Sequence, residues 1–283
     1  MNIIKRFIRR DMKSHIGVVQ MNTSDNLAAN LAYAKNQVQY AASAGLDLVS
    51  FPETFLYVGK ENQLKFQAAQ RLDGELVDSF RELAVKNELS ILLGSLYEKA
   101  LDDDTRLFNT SILINRQGDL CGVYRKIHLC DAPAIGYNES VDVRPGNSLV
   151  VVDHDIGRVG MSICYDLRFP ELYRSLTAQG AEIIFVPSAF FLHTGRHHWL
   201  PLLTARAIEN QVYIVAPNQW GMHYEGRSSC GSSVIIDPWG SILCCAPERP
   251  GLISSTLDLA YLREIRSNMP LLKQRRSELY AAC

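Results

Sequence analysis

The chain has 283 residues, 47% apolar and 21% charged, which is enough for a sizeable core in one large globular domain or two small ones. A net charge of −1 offers no basic footprint for nucleic acid, and no apolar run approaches the roughly 20 residues that span a bilayer. Seven cysteines, an odd number without a C-x-x-C pair, point to free thiols in a reducing, cytoplasmic setting rather than to a disulfide framework.

Residues 1–14 form a basic N-terminal extension, in which Lys5, Arg6, Arg9 and Arg10 are interleaved with Ile3, Ile4, Phe7 and Ile8. The alternative to a cytoplasmic tail is a short mitochondrial presequence. A single domain is expected over residues 15–283, with strand and helix patterns alternating. Residues 15–21 predict a buried strand. One of Thr23, Ser24, Asp25 and Asn26 then caps a helix that Gly45 ends. Residues 46–52 and 90–97 predict strands, with an amphipathic helix over 76–87 between them. Hairpin texture follows, with strands at 108–115, 119–125 and 148–155. Alternation resumes with a strand at 159–163, a helix at 170–181, a strand at 182–187, a helix at 199–210 and a strand at 212–217. Residues 232–243 predict a hairpin about Pro238-Trp-Gly240, and the adjacent Cys244 and Cys245 are expected to be buried thiols. The charged last segment, 258–280, is expected to reach over a partner subunit rather than finish the core. Mixed crossovers and hairpins imply an α/β fold layered around stacked sheets.

Three residues suggest one chemistry. Cys164 lies in Arg158-Val-Gly-Met-Ser-Ile-Cys-Tyr-Asp-Leu-Arg-Phe-Pro-Glu171, where an apolar strand ends just before a helix. A thiol near a helix N-terminus is expected to favour its reactive thiolate. Glu53 ends the apolar strand of Asp47-Leu-Val-Ser-Phe-Pro-Glu-Thr54, and a buried carboxylate there is costly unless it is paired or used. Lys126 lies among Val123, Ile127 and Leu129. Amide cleavage needs a nucleophile, a base that becomes an acid, and a cation for the oxyanion. Cys164, Glu53 and Lys126 fit those roles in that order.

Pro52-Glu53, Tyr124-Arg-Lys-Ile-His-Leu129 and Gly160-Met-Ser-Ile-Cys-Tyr-Asp-Leu-Arg-Phe-Pro-Glu171 resemble the Glu-Lys-Cys motifs of the nitrilase superfamily of carbon–nitrogen hydrolases. The resemblance runs in order from about His15 to Tyr280. It implies an α-β-β-α sandwich that pairs across a two-fold axis into a four-layer homodimer or larger homo-oligomer. It also implies a second glutamate, matched by Glu139, to orient Lys126 and the substrate, and an oxyanion N–H from Tyr165. No metal or organic cofactor has a job in the implied scheme, and the partner is a small-molecule amide.

Further segments, among them Pro187-Ser-Ala-Phe190, Ala205-Arg-Ala-Ile-Glu209 and Asp237-Pro-Trp-Gly240, resemble the deaminated glutathione amidase branch. Enzymes of that branch release 2-oxoglutarate and cysteinylglycine through a thioester. The alternatives within the superfamily are an ω-amidase acting on 2-oxoglutaramate and a carbamoyl hydrolase. An anionic substrate calls for arginines, so Arg168 is a candidate contact and Arg227, in a Gly- and Ser-rich loop, a weaker one. Phe190, Phe191 and Trp199 are candidates for the pocket wall. His193, His197 and His198 are set aside as metal ligands, because Gly195 weakens a helix there and no H-E-x-x-H spacing exists.

Overall fold

The computed structural model describes residues 13–133 and 136–279, so the basic stretch 1–12 and the last residues lie outside the described part. Two six-stranded sheets are stacked and covered by helices on their outer faces. In the first sheet, β1 (Ser14–Gln20), β2 (Leu48–Ser50) and β3 (Ser90–Lys99) run parallel, and β4 (Leu107–Ile114) and β5 (Leu120–Arg125) continue it antiparallel. The sequence left residues 251–257 unassigned; they form a strand antiparallel to β1 and complete that edge.

After a short antiparallel ladder of β6 (Asp131–Ala132) and β7 (Tyr137–Asn138), the second sheet is built around β9 (Gly157–Met161), β10 (Ile183–Phe185) and β11 (Tyr213–Ala216), again parallel, with β8 (Val151–His154) antiparallel to β9 and antiparallel strands beyond β11. Sheets covered on both faces read as continuous apolar runs, and alternation still sorts their side chains. Leu48, Leu92 and Leu113 point into the core shared with Val159, Met161 and Ile183. Their neighbours Val49, Ile91, Ile112 and Ile114 pack under α1 (Leu27–Ser43) and α3 (Glu75–Asn87), between which lies the short α2 (Asn62–Ala68). Helices α4 (Pro170–Ala178) and α5 (Leu192–Asn210) cover the second sheet through Leu172, Leu176, Leu203 and Ala207. This is the α-β-β-α sandwich.

Three expectations are corrected. The segment after residue 258 does finish the core: α6 (Leu259–Asn268) is capped by Asp258 and buries Leu259, Leu262 and Ile265. Its apolar stripe is masked in the sequence by the charges on its other face. Cys245 is exposed and Cys244 only half-buried, because their strand, Ile242–Cys245, is the edge of the second sheet. Helix α5 starts at Leu192 rather than Trp199 and contains both Gly195 and Pro201. Gly195 is held there by packing, since a Cβ would lie 2.3 Å from Cys230 Sγ.

The parallel strands of both sheets end on one side, where ligands of open α/β sheets gather. Gly94 lets the two sheets close there, for a Cβ on it would stand 1.6 Å from the Phe51 carbonyl oxygen and 2.7 Å from Pro187 Cβ.

Candidate active site

Glu53 follows β2 after Pro52, and Thr54 next to it has a φ of +51°. Lys126 follows β5. Because β4 and β5 are antiparallel, Asn109 at the start of β4 comes level with it, and the Lys126 N–H donates to the Asn109 carbonyl at 2.9 Å. Cys164 follows β9 and also sits in the left-handed region, with a φ of +47°. Its N–H donates to the Pro187 carbonyl at 2.9 Å. Non-glycine residues are costly in that region and recur at functional sites.

Asp166 holds the turn that carries the thiol. Its carboxylate accepts from the Ile163 N–H at 2.8 Å, the Tyr124 hydroxyl at 2.7 Å and the His128 N–H at 3.1 Å. His128 Nδ1 lies 2.7 Å from the same carboxylate, and its ring stacks on Phe169 at 3.7 Å. The turn after Cys164 is thus tied to the strand that delivers Lys126.

Lys126 Nζ lies 2.8 Å from Glu53 Oε1 and 2.8 Å from Glu139 Oε2. Asn109 Nδ2 bridges the two carboxylates, donating to each at 2.9 Å. Backbone N–H groups complete the shell, that of Ala189 to Glu53 Oε2 at 2.8 Å and that of Cys130 to Glu139 Oε2 at 2.8 Å. Glu53, Lys126 and Glu139 are 5%, 2% and 4% exposed, so water screens them little.

Burial alone would raise the Glu53 carboxyl. The charge of Lys126, its hydrogen bond, the Cys164 thiol and the Ala189 N–H together bring it below the ordinary carboxylate range. Lys126 is held well above its usual value despite burial, by Glu139 and Glu53. For Cys164 the expectation of a resting thiolate is overturned: burial first and the Glu53 carboxylate second push the thiol well up, against the pull of Lys126. Cys164 opens a short 3-10 helix, Cys164–Arg168, ahead of α4, whose first residue is Pro170. With the thiol pushed up and the carboxyl held down, the two stand side by side as thiol and carboxylate.

Two cavities adjoin this centre and share Glu53, Tyr137, Ala189 and Arg227 in their walls. The narrower lies over Cys164 and is lined by Tyr165, Arg168, Phe190, Phe191 and Thr194 among others. Arg168 sits over the Tyr165 and Phe190 rings, with Nη1 3.2 Å from His198 Nδ1. Trp199 lines neither cavity. It is 1% exposed, backs Phe190 at 5.2 Å and donates from Nε1 to the Ser232 carbonyl at 2.8 Å.

Arg227 is in a strand, not a loop. It opens β13 (Arg227–Cys230), which pairs with β12 (Trp220–Tyr224). Its guanidinium stacks on Phe191 at 3.8 Å and Tyr137 at 4.7 Å, and its buried Nη1 has no hydrogen-bond partner. Thr194 Oγ1 is likewise buried and unpartnered. Asn109 and Asp166 are the residues missed in the sequence. The signal for Asn109 was a polar group, Asn109-Thr-Ser111, inside an apolar strand, and that for Asp166 an acid two places past Cys164. Among the described residues no three or more His, Cys, Asp and Glu side chains are placed to hold a metal ion; His193, His197 and His198 are all exposed on α5.

Fold and cleft together are those of a hydrolase acting on carbon–nitrogen bonds. The sequence profile of carbon-nitrogen hydrolases matches residues 15–267, and the chain belongs to that family, within the nitrilase superfamily. It is 40% identical to the deaminated glutathione amidase of Dictyostelium discoideum over 94% of each chain. The crystal structure of the Caenorhabditis elegans NitFhit protein superposes with a TM-score of 0.90 at 38% identity, over 95% of this chain and 66% of that longer one. Nit3 of Saccharomyces cerevisiae, a member of branch 10 of the nitrilase superfamily, gives a TM-score of 0.84 at 30% identity, over 93% of this chain and 97% of that one.

Proposed function

We propose that the chain is a cysteine-dependent amidase that hydrolyses deaminated glutathione to 2-oxoglutarate and cysteinylglycine. The observation that carries the mechanism is a buried Glu53 carboxylate, 2.8 Å from Lys126 Nζ, in the wall of the cavity over the Cys164 thiol. The substrate is supported by kinship to the Dictyostelium enzyme of that name.

Glu53 takes the thiol proton as sulfur attacks the amide carbon, so no standing thiolate is needed. An ammonium has three N–H donors, and Glu53 and Glu139 engage two of those on Lys126. The third, with the Tyr165 N–H, serves the oxyanion. Glu53 returns its proton to the nitrogen, the C–N bond breaks and the amine leaves a thioester on Cys164. Glu53 then deprotonates a water that attacks the thioester, the C–S bond breaks, and the thiol is restored. Glu139 positions Lys126, and the scheme calls on no metal or organic cofactor. Arg227, with Arg168 beside it, receives the 2-oxo acid carboxylate, since its buried Nη1 lacks a partner. Phe190 walls the acyl chain.

Two coarser properties belong to the same reading. A cytoplasmic setting fits the six described cysteines, all free thiols; no helix among the described residues is long and apolar enough to cross a membrane. A homodimer fits the exposed Ile208, Trp239 and Tyr261. Gly240 packs on Ile208, which places the Trp239 loop beside that part of α5.

Quenched turnover of deaminated glutathione followed by intact-protein mass tests the reaction. The expected result is an acyl adduct on the wild type and neither adduct nor turnover in Cys164→Ala. Turnover by Cys164→Ala would overturn it.

A further inference from the structure

We propose, building on that function, that the larger cavity beside Glu53 is the leaving-group subsite and that Lys60 receives the terminal carboxylate of the departing dipeptide. The cavity has a volume of about 290 Å³ and is walled by Glu53 and Glu139 but not by Cys164. The scissile carbon must stand at Cys164, and the scissile nitrogen must face the carboxylate that protonates it. The acyl group therefore extends into the narrower cavity over Cys164, and the amine into the one that opens from Glu53. That volume is near the lower end of small-ligand pockets, about 300 Å³, which suits a dipeptide and little more.

The charges in its wall point the same way. Lys126 is held by Glu53 and Glu139, and Lys65 by Asp142. Among the described residues Lys60 has no carboxylate partner. It stands in a loop built to hold it there: the Tyr57 hydroxyl donates to the Glu61 carbonyl at 2.8 Å, closing the chain over residues 57–61. Gly59 makes the closure possible, because a Cβ on it would lie 2.3 Å from that hydroxyl oxygen. Arg227 and Lys60 thus offer, among the described residues, one cation without a carboxylate partner at the partition between the cavities and one in the outer wall. Deaminated glutathione carries two carboxylates, one on the 2-oxo acid and one on the terminal glycine. 2-Oxoglutaramate carries the first only.

The test compares kcat/KM for deaminated glutathione with that for its analogue amidated at the glycine carboxyl, in wild type and in Lys60→Gln. 2-Oxoglutaramate, with the same acyl group and ammonia as leaving group, is run in parallel. The wild type is expected to prefer the free acid by about fivefold, as a partly exposed ion pair allows, and Lys60→Gln to bring the two near parity. A preference that persists in Lys60→Gln, or none in wild type, overturns the subsite. An equal loss on 2-oxoglutaramate would place Lys60 on the acyl side and also overturn it. Failure to hydrolyse deaminated glutathione, with 2-oxoglutaramate turned over, would instead remove the substrate reading on which the subsite rests.

Discussion

The proposed catalytic centre and the walls around it are finished to different degrees. At the centre every charge has its partner, and the buried atom left without one, Asn109 Oδ1, is uncharged: two carboxylates share one ammonium, one amide bridges them, and two backbone N–H groups complete the shell. In the walls several groups are left open: among the described residues Arg227 Nη1 and Thr194 Oγ1 are buried and unpartnered, and Lys60 has no counter-ion. The difference separates two tasks. Reactive groups must be set before substrate arrives, because reorganising buried charge during the reaction is expensive. Recognition groups are completed by the substrate itself, so a ligand that lacks their complement leaves them unsatisfied and binds poorly.

The comparison breaks first at the centre. Cys164→Ala is expected to lower kcat by about 10⁴-fold or more and Glu53→Gln by about 10³-fold, with little change in thermal unfolding. Glu53→Gln with near-normal turnover would remove the base from the scheme. Next in size is Lys126→Met, which leaves Glu53 and Glu139 unpaired. Its expected cost, besides activity, is about 3–5 kcal/mol in urea unfolding, and an unchanged midpoint would mean that the carboxylates find other partners.

The wall side is expected to weaken first in acid. His223 ties the β12–β13 hairpin, which carries Arg227, to Thr23: its ring nitrogens lie 2.8 Å from the Thr23 carbonyl oxygen and 2.9 Å from Ser229 Oγ. Burial lowers it from 6.5 to about 4, so it is neutral in the fold and protonates more readily when unfolded. Its contribution is complete above about pH 6.5 and is lost as the pH falls toward about 4, amounting to about 3 kcal/mol. His223→Gln should flatten stability against pH in that window, and an unaltered slope would refute this. Arg227→Gln should cost about 10- to 100-fold in kcat/KM, mainly through KM. A fall confined to kcat would move Arg227 into the chemistry. The smallest effect is expected for Trp199→Phe, which should leave KM within about twofold while lowering stability by about 1 kcal/mol through the lost Ser232 bond.

The sequence made the centre more legible than the walls. Cys164, Glu53 and Lys126 each interrupt or follow an apolar strand, and a costly group in such a place is visible without coordinates. Glu139 had no such mark and was found only through resemblance to the family. Asn109 was hidden because a polar residue inside a strand gives no sign of which cavity or carboxylate it meets. Gly226-Arg-Ser-Ser-Cys-Gly231 has turn composition, yet its middle is a short strand fixed by pairing with residues 220–224, so Arg227 was undervalued. Trp199 failed for the converse reason: spacing alone does not tell whether an aromatic faces the cavity or supports the residue that does. The strand order and the second edge at residues 251–257 were also out of reach, being set by long-range pairing with β1.

The most direct test of the account is kcat/KM on deaminated glutathione and 2-oxoglutaramate side by side, with Cys164→Ala as the blank. A centre set in advance and walls completed by a doubly anionic substrate predict a preference for deaminated glutathione of about 10²-fold, or about 2.7 kcal/mol in transition-state binding. Equal or reversed preference would keep the Cys164–Glu53–Lys126 chemistry and contradict the assignment of the walls to the dipeptide substrate.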